Sequence, residues 1–211
     1  KNLRKKFQID NYKNFKLTHK FVTNLIDKLR NEFLFKPSFN INKNPKLKII
    51  HITNFNERHN GRLHYNTGRR LNNGFIRLGH NILTISDRDI LHKTKTINDF
   101  KGLKNLNKKI IETYKNFKPN LIILGHADGV NKKTLQILKN KDENLKIAQW
   151  FLDPLSVNGP DFQKNRNRIM DKHQFVDSSF LTTDPNSLSF EINNSHFMPN
   201  PCDHSFETLN N

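Results

Sequence analysis

From residue 46 onward, short apolar runs rich in β-branched side chains alternate with stretches of helical periodicity. That alternation leaves few folds open. KLKIIHIT (46–53) reads as a buried strand, and Leu71, Phe75 and Leu78 mark one face of a helix over 67–78, with Gly79 as its C-cap. NILTIS (81–86) is the second strand. Phe100, Leu103, Ile110, Tyr114 and Phe117 mark a helix that must stop before Pro119. LIILG (121–125) is the third strand, followed by a helix over 131–140, a strand over 146–152 (KIAQWFL), a helix over 161–173, a strand over 179–183 and a short strand over 196–198. Strands separated by helices at this spacing form βαβ units. The expected architecture is therefore α/β: a Rossmann-like open, mostly parallel sheet with helices on both faces, occupying residues 46–206.

Charge divides the chain. It carries 36 Lys plus Arg against 19 Asp plus Glu, a formal +17, with only 34% hydrophobic residues. Residues 1–48 hold 13 basic and 3 acidic side chains. Within that stretch Leu17, Phe21, Leu25, Leu29 and Phe33 recur every four residues, so residues 1–45 are expected to be a basic helical extension. Such a helix either contacts an anionic membrane surface or packs on the body with its lysines in water. The chain also holds 32 Asn, 26 Lys and only two Ala, so part of the charge reflects codon bias. No nucleic-acid reading motif accompanies the charge, and specific nucleic-acid binding is not expected.

One cysteine, Cys202, excludes a disulfide framework and a cysteine zinc site, and the histidines lack ligand spacing, so no metal is assigned. With no long apolar run and no signal-peptide h-region, the expected location is the cytoplasm. The first loop has isolated glycines where a dinucleotide fold needs G-x-G-x-x-G, and GHADGVNKK (125–133) lacks P-loop spacing.

Open parallel sheets bind ligands beyond the carboxyl ends of their strands. The residues so placed are Asn54 to Asn66, Asp87 and Arg88, Gly125 to Gly129, Asp153 and Asp184. In the first loop Asn54, Glu57, Arg58, His59, Gly61, Arg62 and Tyr65 suit a polyhydroxylated or phosphorylated ligand: arginines fork onto oxygens and Tyr65 offers a ring face. The competing reading is a solvated loop whose arginines pair with Glu57. His126 stands in a glycine-flanked turn two residues before Asp128; it is a general-base candidate or a helix cap. Asp153 is a base or orienter, or a structural acceptor for loop amides. His51 and Trp150 are expected in the core.

The order KIIHIT, FIRLGHNILTIS, KPNLIILGHADGV, LKIAQWFLDP, FLTTDP and, over 199–206, PNPCDHSF resembles the N-terminal half of GT-B glycosyltransferases, most closely the CgeB-like group related to spore maturation proteins. It covers about three quarters of the chain, and where the group has a doubled Asp this sequence has Leu152-Asp153. The resemblance implies an acceptor-side domain. It implies sugar transfer from a nucleotide-sugar co-substrate to an acceptor hydroxyl of a glycan or other molecule, without metal or further cofactor. His126 or Asp153 would be the base, and Arg58, Arg62 and Tyr65 would position sugar or phosphate. It further implies a C-terminal Rossmann-like domain, with 207–211 starting the linker and this half inactive alone. The alternative is a noncatalytic module binding glycans or polyanions.

Overall fold

The computed structural model describes residues 45–207. The basic segment 1–45, apart from Pro45, lies outside the described residues, as does most of the stretch 207–211. Six parallel strands form one open sheet in the order β2-β1-β3-β4-β5-β6. They are β1 (Lys48–Thr53), β2 (Asn81–Ser86), β3 (Leu121–Gly125), β4 (Lys146–Phe151), β5 (Ser178–Leu181) and β6 (Ser195–Phe197). The helices are α1 (Thr67–Arg77), α2 (Asp87–Lys93), α3 (Leu103–Phe117), α4 (Lys132–Lys141), α5 (Phe162–Asp171) and α6 (His204–Glu207). The α/β expectation holds.

Side-chain alternation along the strands assigns the faces. Ile50 and Ile52 of β1, Ile122 and Leu124 of β3 and Ile147 of β4 pack with Leu106 and Ile110 of α3 and with Leu135 and Leu138 of α4. Ile49, Ile123 and Trp150 point to the opposite face, against Leu71 and Phe75 of α1. Toward β5, Phe151 and Leu181 pack on Ile169 of α5.

Two details depart from the expected elements. Helix α2 follows β2 without a break, through the DRD triplet, over residues to which the sequence pattern assigned no element. Helix α3 starts at Leu103, so Phe100 is not on its apolar face but stands 77% exposed in the preceding turn. A helix start three residues after Phe100 moves that side chain from the expected core to the surface.

His51 and Trp150 are core residues, as expected. Trp150 Nε1 donates to His51 Nε2 at 3.2 Å. The ring therefore keeps its proton on Nδ1, and both that atom and Oδ1 of neighbouring Asn72 in α1 are buried without a hydrogen-bond partner. Burial lowers His51 to about 4.

Candidate functional site

The sheet order reverses between β1 and β3, since β2 lies to one side of β1 and β3 to the other. Loops leaving those two strands diverge and open a crevice. A cavity of about 200 Å³ fills it, lined by Thr53, Asn54, the start of α1 at Asn66 to Gly68, Arg88, His126, Trp150 and Asp153. Glycine at two positions makes the geometry possible. A Cβ on Gly125 would stand 2.1 Å from Trp150 Cζ2, and one on Gly68 would stand 2.6 Å from Thr53 Cγ2. The first lets the indole slide under the end of β3; the second lets α1 start against the end of β1.

Beside this cavity the strand-end side chains meet at Arg168 of α5, which lines the neighbouring groove. Its Nε and Nη2 donate to the two oxygens of Asp128 at 3.1 and 2.9 Å, and Nη1 donates to Asp153 Oδ2 at 2.8 Å. Nη2 also lies 2.9 Å from His126 Nδ1. A guanidinium can only donate, so Nδ1 accepts and the neutral ring carries its proton on Nε2. The Leu152 amide 3.5 Å from Nε2 is at the outer limit of bonding and does not outweigh that contact. His126 sits in the left-handed region, φ 55°, and stacks on Phe151 at 4.6 Å. Burial lowers its pKa, and Arg168 lowers it further against the raising influence of Asp153. The ring is neutral at pH 7.

Asp128 would be raised by burial, but Arg168 and Arg88 outweigh that and hold it below the usual range. Arg88 Nη2 reaches Asp128 at 3.1 Å, and its side chain stays 44% exposed. It lines both this cleft and a wider open groove of about 870 Å³ along α5.

The structure sorts the expected site residues. His126, Asp128 and Asp153 converge on Arg168, and of the expected residues His126, Asp153 and Asn54 line the cavity. His126 caps no helix: the N-cap of α4 is Asn131. Asp153 takes Arg168 and no loop amide, and its Oδ1 takes no hydrogen bond among the described residues. Arg58 pairs with Asp89, not Glu57, at 3.3 Å. Asp89 also accepts from the Glu57 and Arg58 amides at 2.8 and 3.3 Å and from the Ser86 hydroxyl. Burial would raise this carboxyl, but those four donors hold it low. Arg58 thus fastens the loop to α2. Glu57, Gly61, Arg62 and Tyr65 are exposed and His59 is half-buried. Tyr65 stands edge-on to His64 and to Phe206, at 5.5 and 5.0 Å. Asp184 caps the 3-10 turn Pro185–Ser187 through the Asn186 amide and does not line the cavity.

Sequence reasoning missed Arg168 and Asp89. Arg168 lies next to core-facing Ile169 in a segment read only as helix, and no local signal distinguishes it from a solvated arginine. Asp89 was visible as the second Asp of DRD directly after a strand.

Among the described residues no group of three His, Cys, Asp or Glu side chains is placed to hold a metal, and no helix is long and apolar enough to cross a membrane. The chain matches no protein-family model, and no similar curated protein is found.

Proposed function

We propose that this domain is the acceptor-side half of a nucleotide-sugar-dependent glycosyltransferase of the GT-B type, with the β1/β3 cleft receiving the acceptor hydroxyl. The observation that carries the reading is Asp153: a cleft carboxylate with Oδ2 held by Arg168 at 2.8 Å and Oδ1 open. Asp153 is the base, taking the hydroxyl proton as the acceptor oxygen bonds to the anomeric carbon and the nucleoside diphosphate leaves. His126 positions Arg168, since its Nδ1 lone pair is already engaged. Arg88, exposed at the cleft, and Arg62 and Tyr65 of the first loop contact sugar or phosphate oxygens and ring faces. The nucleotide sugar is held across the cleft by a second domain, and no metal takes part.

The test is sugar transfer by the protein carrying both halves, wild type against Asp153→Ala and His126→Ala. Loss of transfer in Asp153→Ala by roughly 10²-fold or more, with a smaller loss in His126→Ala, supports the assignment. Unchanged transfer in both removes the base. Saturable binding of polyanions with steep salt dependence and no transfer would favour a noncatalytic module.

A further inference from the structure

We infer that the turn between α2 and α3 is an attachment point for an anionic lipid surface. Ile97 and Phe100 are 84% and 77% exposed, more than any other large apolar side chain among the described residues. Single exposed apolar residues are ordinary on protein surfaces. These two differ in how they are presented. Thr96 and Asp99 exchange backbone hydrogen bonds of 3.2 and 3.0 Å, and the Gly102 amide donates to Asp99 O at 2.9 Å. Asn105 Nδ2 donates to Thr94 O at 2.9 Å, and the Asp99 carboxylate accepts the Asn105 amide at 3.1 Å. Gly102, at φ +70°, lies so close to Leu91 that a Cβ would stand 2.7 Å from its carbonyl oxygen. The turn is therefore built, and it holds both apolar groups outward without further ordering cost on binding.

The surrounding charge selects the partner. Lys93, Lys95, Lys101 and Lys104 are all exposed around the turn, and its one carboxylate, Asp99, is engaged by the start of α3. Lysines ringing an apolar tip match a bilayer interface, where the tip enters the headgroup boundary and ammonium groups meet anionic lipids. A protein partner fits less well, because lysine is depleted at protein interfaces. Nucleic acid fits less well too, since Ile97 offers no ring for a base to stack on. Asn107 of α3 donates to Gly129 O at 2.9 Å and accepts from the Asn131 amide at 2.9 Å, which ties this end of α3 to the loop after β3. The turn and the strand-end cleft thus share one edge of the sheet.

The experiment is co-sedimentation of the whole chain with vesicles of phosphatidylcholine and phosphatidylserine in equal parts. Residues 1–48 carry +10 and can bind such vesicles by charge alone, so the decisive comparison is between variants. Ile97→Ser/Phe100→Ser should lower the partition coefficient roughly tenfold or more at unchanged thermal midpoint, and Ile97→Leu/Phe100→Trp should keep or raise it. Lys101→Glu/Lys104→Glu should weaken binding and flatten its salt dependence. Wild type that does not sediment, or a serine double variant that partitions like wild type, overturns the proposal. So does a wild type whose binding to a single-stranded oligonucleotide, rather than to vesicles, is what the serine variant loses.

Discussion

Arg168 Nη1 lies 2.8 Å from Asp153 Oδ2 while the same guanidinium grips both oxygens of Asp128, so one side chain of α5 organises the loops that leave β3 and β4. Removing it tests that role in two ways. Arg168→Met should destabilise the domain by roughly 1–2 kcal/mol in urea unfolding, at the lower end for a charged network because both carboxylates are more than a third exposed and regain water. It should also raise the His126 pKa, as the cation that lowers it is gone while Asp153 remains. An NMR titration of the His126 ring that shows no rise would separate Arg168 from the cluster.

The core of the sheet should make stability depend on pH through two groups of opposite sign. His51, lowered by burial to about 4, stays neutral in the fold while the unfolded ring protonates near its usual 6.5. Stability from this group is complete above pH 6.5 and falls by about 3 kcal/mol as pH drops to 4. Asp87 has the reverse effect. Burial raises it to about 6, and its Oδ1 has no hydrogen-bond partner, so the fold binds a proton that the unfolded chain releases. Its contribution is complete below the unfolded value near 3.8 and is lost as pH rises through 6, again about 3 kcal/mol. Between pH 4 and 6 the two nearly cancel. His51→Leu should therefore leave a stability that rises on acidification in this window, and Asp87→Asn one that falls. Urea midpoints measured against pH in the two variants check both slopes.

How far the sequence could lead is clear from these residues. The alternation of apolar runs located all six strands within two residues, because a buried parallel strand must be nearly continuous in Val, Ile and Leu. It also placed His51 and Trp150 inside, and it pointed to His126, Asp128 and Asp153 because strand ends in such a sheet are cleft positions by geometry alone. The partners were not legible. That Arg58 pairs with Asp89 and that Arg168 joins three strand-end residues depends on contacts 15 to 42 residues apart, set by crossovers that no local pattern reports. Phe100 misled because a residue three before a helix start has the same periodic spacing as one inside it.

Gly125 is required by its neighbour. With Cζ2 of Trp150 only 2.1 Å from a Cβ there, Gly125→Ala must displace the indole, at a cost of about 1–3 kcal/mol. Trp150 is the only tryptophan in the chain, so its emission should shift to the red in the variant. Unchanged emission and stability would mean that the ring does not rest against the end of β3.

Asp89 holds the first loop shut. In Asp89→Ala the Glu57 and Arg58 amides, the Ser86 hydroxyl and the Arg58 guanidinium all lose their acceptor. The expected cost is about 2–3 kcal/mol, accompanied by faster amide hydrogen exchange at Glu57 and Arg58 than elsewhere at the strand ends. Uniform change across the sheet would instead indicate general destabilisation.

The central claim, that the β1/β3 cleft takes a hydroxyl-bearing acceptor, is tested most directly by titrating the fluorescence of Trp150, which lines that cleft, with a panel of neutral oligosaccharides. The account predicts a saturable change for at least one sugar, insensitive to salt and abolished by Asp153→Ala at unchanged thermal midpoint. No response to any sugar, or a response that Asp153→Ala leaves intact, would contradict it.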